Sequence, residues 1–291
     1  MNIKIWINGE LCEGPEATVS VLDRGFLYGD SVFETLRTYR RQVFALEEHL
    51  ERLHESARRV LIDLPVTREQ LAHEIKRALL ELPDQESYIR LMVTRGEGGL
   101  GLDPKHSENP KRVMIITPLK VPDPEVYLKG AKAISYACAR PQDDTAAAGA
   151  KIGNYLVAVL AHREAAAAGA IEALLVGPED TVTEGATSNL FWIEKGRVFT
   201  PDLSAGVLAG ITRHFVLRAA ERLGLQVQLQ TPTLTQLLEA EEVFISSSIR
   251  ELVPIVRVDE QIIGQGRPGS LTQKLLKEFR AYALDVSQVL S

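Results

Sequence analysis

The chain has 291 residues, 45% hydrophobic and 25% charged, a balance that excludes a disordered, collagen-like or coiled-coil chain and allows a substantial core. Lysine and arginine number 33 against 39 aspartate and glutamate, a net charge of −6, without the clustered cations that nucleic-acid surfaces need to neutralise phosphates. Cys12 and Cys138 are the only cysteines and form no CxxC pair, so neither a disulfide framework nor a metal site is expected.

The chain opens with the alternating strand Ile3 to Ile7 and an Asn8-Gly9 turn rather than a charged segment followed by an apolar signal core. No apolar run approaches the roughly 18 to 20 residues of a membrane helix, so no membrane partner is expected and a cytoplasmic location is the simplest expectation. A turn around Asp23 leads into an extended stretch through Ser31-Val-Phe-Glu-Thr-Leu. Leu46, Leu50, Leu53, Ala57 and Val60 recur at helical spacing and predict a helix from about Glu47. Thr67 and Gln70 form a capping-box pattern that opens a second helix, with Leu71, Ile75, Ala78 and Leu82 on its buried stripe. Tyr88 to Arg95 reads as a strand whose period of two puts Tyr88, Arg90, Met92 and Thr94 on one face.

A further strand from Val113 runs into a segment punctuated by Pro118, Pro122 and Pro124. Two domains are expected: 1–120, a linker over 121–132, and 133–291. The second half begins with a strand near Ala133 and a loop from Asp143. An alanine-rich helix then stops at Gly169. Strands follow over Glu172–Val176 and Asn189–Ile193, and a helix from Gly210 ends at Gly224. A strand from Val243 runs into the serines 246–248, and the last helix is expected at Ser270 with Gln273 completing a capping box.

Gly96-Glu-Gly-Gly-Leu-Gly101 satisfies G-x-G-x-x-G, but Pro104 follows so closely that no helix can present its amides to a pyrophosphate; a loop is expected there. Lys151, in the small-residue loop Gly149-Ala-Lys-Ile-Gly-Asn-Tyr155, is a candidate nucleophile if partly desolvated, although a lysine there is by itself a solvated surface group. Gly210-Ile-Thr212-Arg at a helix start offers amides and a hydroxyl to an anion, and the serines 246–248 offer more. Arg52, one turn after His49, can reach an anion from the apolar flank of its helix, and Glu184 can hold a protonated ring nitrogen. Each has a plain reading as surface, turn or cap polarity.

In order along nearly the whole chain stand Tyr28-Gly with Ser31-Val-Phe33-Glu, His49-Leu-Glu-Arg52, Tyr88-Ile-Arg90, Lys151-Ile-Gly-Asn-Tyr155, Thr183-Glu184-Gly with Asn189-Leu-Phe, Gly210-Ile-Thr212-Arg and Glu242-Val-Phe-Ile-Ser246. This ordered set resembles the class IV, fold-type IV pyridoxal-phosphate aminotransferases, most closely the branched-chain amino-acid aminotransferases. The resemblance implies an α+β, two-domain fold: a small N-terminal α/β sandwich domain and a larger C-terminal pseudo-barrel domain carrying the cofactor lysine. It also implies a homodimer as the minimal unit, pyridoxal 5'-phosphate as cofactor, and amino acids and 2-oxo acids as substrates.

By that resemblance Lys151 would be the Schiff-base lysine and proton shuttle, Glu184 the partner of the pyridinium nitrogen, and Tyr155, one helical turn after the lysine, the partner of the phenolic oxygen. Arg52, Ile211, Thr212, Ser247 and Ser248 would hold the phosphate, with Leu208 against the ring. Tyr28, Phe33, Tyr88, Arg90 and Ile249 would line the substrate pocket, and Tyr127 would enter it from the partner subunit. Phe33 suits an apolar side chain, and Arg90 suits the second carboxylate of glutamate.

Two segments depart from the branched-chain pattern. A Gly-Thr-Ala-Ala turn is usual after the Val-Phe-Ile strand, where this chain has Ser246-Ser-Ser-Ile-Arg250-Glu251; and Gly185-Ala-Thr-Ser188 is closer to the D-amino-acid branch. The leading expectation is an L-branched-chain transaminase working with 2-oxoglutarate by a ping-pong route. A D-amino-acid or (R)-amine transaminase, an aminodeoxychorismate lyase and a non-enzymatic phosphate-ligand binder remain as alternatives.

Overall fold

The structure, a computed structural model, describes residues 3–82, 86–138 and 147–287. Asp143 to Ala146 of the expected loop lie outside the described residues. The chain divides into two compact units: Met1–Lys120 with Ala150–Tyr155 and Leu284–Ser291, and Val121–Gly149 with Leu156–Ala283.

The first unit holds β1 (Lys4–Ile7), β2 (Glu10–Cys12), α1 (Arg24–Tyr28), β3 (Ser31–Tyr39), β4 (Gln42–Val43), α2 (Leu46–Arg59), α3 (Arg68–Leu79), β5 (Ser87–Thr94), β6 (Glu97–Gly98), β7 (Ser107–Glu108) and β8 (Lys111–Pro118). Six strands form one antiparallel sheet in the order β2-β1-β8-β5-β3-β4, while β6 and β7 make a separate hairpin ladder in place of any nucleotide-binding helix. The stripe Leu46, Leu50, Leu53 and Ala57 of α2 packs with Leu71, Ile75 and Ala78 of α3 on Val32 and Leu36 of β3 and on Ile89, Leu91 and Val93 of β5. The capping box of Thr67 and Gln70 fixes the start of α3. Tyr88, Arg90 and Met92 alternate with the buried residues of β5, and the register sets Phe33 opposite Met92, Thr35 opposite Arg90 and Arg37 opposite Tyr88.

The second unit holds α4 (Pro124–Lys129), β9 (Ala131–Ala137), α5 (Leu156–Ala167), β10 (Glu172–Val176), β11 (Val182–Gly185), β12 (Ser188–Glu194), β13 (Arg197–Thr200), α6 (Ile211–Arg222), β14 (Val227–Leu229), α7 (Leu234–Leu238), β15 (Glu242–Ser247), β16 (Glu251–Val258), β17 (Gln261–Ile262) and α8 (Ser270–Ser287), whose last turn groups with the first unit. Its sheet runs β11-β10-β9-β16-β15-β12, and because β12 also pairs with β11 those six strands close on themselves, with β13, β14 and β17 as extensions. Closure removes free strand edges from the ring. Ala161 and Ala165 of α5 pack closely on Ile134, Ala173 and Leu175.

Three local expectations need correction. The proposed linker over 121–132 is mostly structured, because Asp123 caps α4 and β9 begins at Ala131. The lysine segment, expected in the second domain, groups with the first unit, where Phe33 N–H donates to the Lys151 carbonyl (3.0 Å) and Gly153 N–H to that of Ser31 (2.8 Å). At α8 the Gln273 amide donates to the Gly269 carbonyl, and the Glu242 carboxylate accepts from Leu271 (3.1 Å) and Thr272 (2.7 Å), taking the role expected of a Ser270–Gln273 box. No helix among the described residues is long and apolar enough to cross a membrane.

Candidate active site

Tyr28, Phe33, Arg52, Tyr88, Arg90, Lys151 and Tyr155 belong to the first unit. Lys151 lies on an extended segment bridged to β3 at Val32–Ile152, and its own N–H donates to the Ser56 hydroxyl on α2 (3.1 Å). The backbone is therefore fixed from both sides before the side chain begins. Gly153 is required by that approach: a Cβ there would stand 2.1 Å from the Ser31 hydroxyl. Helix α5 begins only at Leu156, so Tyr155 is not one helical turn from the lysine. Phe33 relates them instead, with the Lys151 Nζ 4.5 Å from its ring centroid and the Tyr155 ring edge-on at 5.1 Å. The Arg90 guanidinium lies 4.1 Å from the same centroid. Tyr28 ends α1 and its hydroxyl accepts from the Gly101 amide (3.1 Å), while Tyr88 occupies the Arg90 face of β5.

Alternation turns Glu34 to the opposite face, among Val32 and Leu36, where α2 packs. A carboxylate in that position needs partners, and it has them: Arg52 donates through Nε and Nη2, both at 2.7 Å, and His49 Nδ1 lies at 2.7 Å. Burial pushes the Glu34 carboxyl up, but the Arg52 charge and the hydrogen bonds from Arg52 and His49 outweigh it and hold the group well below the usual carboxylate range. His49 is pushed down, first by burial and then by the Arg52 and Lys151 charges, against the pull of Glu34. The ring is thus neutral at pH 7 with its proton on Nδ1, and the buried Nε2 is an acceptor with no hydrogen-bond partner among the described residues. The sequence motifs contain Glu34 and His49 but give them no role. The signal is nonetheless present: an acid at a core position of a strand, and His49 and Arg52 three apart on an apolar helix flank.

Tyr127, Glu184, Leu208, Ile211, Thr212, Ser247, Ser248 and Ile249 belong to the second unit. Glu184 lies in β11 opposite Asn189, rather than in a turn, and is 8% exposed. Its carboxylate accepts from the Leu208 amide (3.1 Å), and Asn189 Nδ2 donates to the Leu208 carbonyl (2.8 Å), so the backbone of Leu208 is held at both its N–H and its carbonyl. Gly210 caps α6 against the Asn189 side chain so tightly that a Cβ would stand 1.9 Å from Oδ1. Ile211 and Thr212 open the twelve-residue helix, where amides have no intrahelical acceptor. The Thr212 hydroxyl and the Ser246 hydroxyl are buried without a hydrogen-bond partner among the described residues. Ser246 and Ser247 end β15, and Ser248 begins the turn to β16.

The sequence profile of the family described as Amino-transferase class IV matches residues 31–258. A Methanocaldococcus jannaschii protein provisionally named a branched-chain-amino-acid aminotransferase is 37% identical over 96% of both chains. A Bacillus licheniformis D-alanine aminotransferase is 34% identical over 94% of both. The crystal structure of a T.th. branched-chain amino acid aminotransferase complexed with N-(5'-phosphopyridoxyl)-L-glutamate superposes with a TM-score of 0.90 at 33% identity, covering 97% of this chain and 94% of that one. The chain belongs to the class IV aminotransferases, and its α+β architecture is theirs. It is a transaminase.

Proposed function

We propose that the protein is a pyridoxal 5'-phosphate-dependent L-branched-chain amino-acid transaminase, with 2-oxoglutarate as amino acceptor and two half-reactions in turn at one site. The observation that carries the reading is the surroundings of Phe33: an apolar ring with the Lys151 amine at 4.5 Å and the Arg90 guanidinium at 4.1 Å from its centroid. An apolar surface suits a branched side chain, and a cation beside it suits the extra carboxylate of glutamate.

The residues fit the cofactor. The buried Thr212 hydroxyl, without a hydrogen-bond partner among the described residues, stands at a helix start, which is the donor set a phosphate completes. Arg52, Ile211, Thr212, Ser247 and Ser248 would hold that phosphate, Glu184 the ring nitrogen, Tyr155 the phenolic oxygen, and Leu208 a ring face. When bound, the cofactor supplies an aldehyde for covalent attachment and a protonated ring that draws electrons from the substrate Cα. Lys151 would be the attachment point, and its amine would move the proton at the substrate Cα. Its backbone bonds to Phe33 and Ser56 orient that amine. Glu184, shielded from water, would favour a proton on the ring nitrogen by its charge.

The exposed apolar residues Leu156, Val157, Val159 and Leu160 on α5 support a homodimer. A second reading, transamination of D-amino acids, draws on the D-alanine aminotransferase likeness and on the Ser246–Arg250 turn. Single-turnover absorbance changes of the reconstituted protein with L-leucine, L-glutamate, D-alanine and (R)-1-phenylethylamine separate the two. Conversion by L-leucine and L-glutamate is expected; conversion by D-alanine with none by L-leucine overturns the first reading.

A further inference from the structure

The two segments that depart from the branched-chain pattern meet on one carboxylate. Glu172, fully buried at the start of β10, accepts from the hydroxyls of Thr187 (3.0 Å) and Ser188 (2.8 Å) at the β11–β12 turn and from Arg250 Nη2 at the β15–β16 turn. Arg250 spends its other donors nearby: Nη1 on the Ile171 carbonyl (3.1 Å), Nε on the Ser247 hydroxyl (3.3 Å), and Nη2 also on Thr187 (2.8 Å). All three guanidinium nitrogens are thereby engaged within the protein. The turn is held at its other end too, since Tyr127 donates its hydroxyl to the Arg250 carbonyl (3.0 Å). Glu251 sits at φ +56°, a conformation costly for a non-glycine residue, with its carboxylate bound by Arg280 (2.7 Å).

We propose that Arg250 is a positioning residue: through Glu172 it joins the two turns into one unit and so fixes where Ser248 and Ile249 meet the ligand, without itself reading a substrate carboxylate. The larger residues at the two departures are then one substitution in physical terms, because Thr187 and Ser188 supply the hydroxyls that complete the acceptor Arg250 needs. This proposal rests on the transaminase reading in which Ser247 and Ser248 serve the cofactor phosphate.

The test compares Arg250→Met, Glu172→Gln and the double variant by two readouts: the Kd of pyridoxal 5'-phosphate for the apoprotein, followed by fluorescence quenching, and the KM values of L-leucine and L-glutamate. Arg250→Met is expected to raise the Kd and both KM values by a common factor of about ten, with kcat changed less, and the double variant to be no worse than Arg250→Met. A rise confined to the KM of L-glutamate shows that Arg250 reads the second carboxylate and overturns the proposal. So does a Kd and a pair of KM values within about twofold of the parent, whatever the change in Tm. If Arg250→Met does not fold, Arg250→Lys, which keeps one donor for Glu172, must give an intermediate common rise; glutamate-only or no change overturns the idea equally. Should the parent bind the cofactor yet react with neither amino acid, the substrate reading fails while the Kd comparison still decides the role of Arg250.

Discussion

Glu34 and Glu172 are both fully buried carboxylates paired with an arginine, and they do different work. Glu34 receives Arg52 through a two-pronged fork and shares its second oxygen with one imidazole; its product is the aim of a side chain. Glu172 receives single bonds from two hydroxyls and an arginine that reach it from two turns; its product is the shape of the backbone. The difference shows why burial alone does not tell what an ion pair is for. What matters is whether its partners come from a helix already fixed by packing or from turns that the carboxylate itself ties together.

That contrast breaks first on stability. Glu34→Ala removes both bonds that Arg52, 11% exposed, makes to the carboxylate and takes the acceptor from His49 Nδ1 inside a buried cluster, and a loss of about 3–5 kcal/mol is expected by urea denaturation. Glu172→Ala should cost less, about 1–3 kcal/mol, because Arg250 is 18% exposed and keeps the Ile171 carbonyl and the Ser247 hydroxyl. Equal losses would mean that the two pairs are one kind of device.

The Glu34 cluster also responds to acid. His49 has a folded pKa below 6.5, so the unfolded chain takes up its proton first; the contribution is complete above about pH 6.5 and is lost as pH falls through the folded pKa. Glu34, likewise depressed, contributes fully above about pH 4.5 and loses that contribution only in stronger acid. Between pH 7.5 and 5.5 stability should therefore fall by up to about 1.4 kcal/mol per pH unit below the midpoint, and His49→Gln should flatten that slope. The groups facing His49 are Glu34, Arg52 and Lys151, and an unchanged slope in the variant would assign it elsewhere. The smallest stability effect belongs to a polar group with no hydrogen-bond partner among the described residues: Thr212→Val should leave apoprotein stability within about 0.5 kcal/mol, or raise it, while weakening cofactor binding. A clear loss of apoprotein stability would show that the hydroxyl serves the fold.

Much of this is legible in the sequence. The helix stripes of α2 and α3, the face shared by Tyr88 and Arg90 and the helix start at Ile211 follow from periodicity and caps, which are local. The Glu34 and Glu172 clusters and the capping of α8 by Glu242 join residues far apart in the chain, and no spacing rule reports such meetings. Chain order misplaces Lys151 for the same reason: its unit is set by hydrogen bonds to Phe33 and Ser31, while its position in the sequence puts it beside α5. The departures at Ala186–Ser188 and Ser248–Arg250 are visible one by one, but only their common acceptor shows that they belong together.

The lysine segment has a second consequence. On the side of β3 away from β5, β4 covers only Thr38 and Tyr39, and residues 151–153 cover the other end at Ser31 to Phe33. That stretch is a ready template for another chain's strand when bare. The segment that carries the reactive amine therefore also guards a sheet edge, and a nick or deletion that freed it would be felt as aggregation as well as lost catalysis.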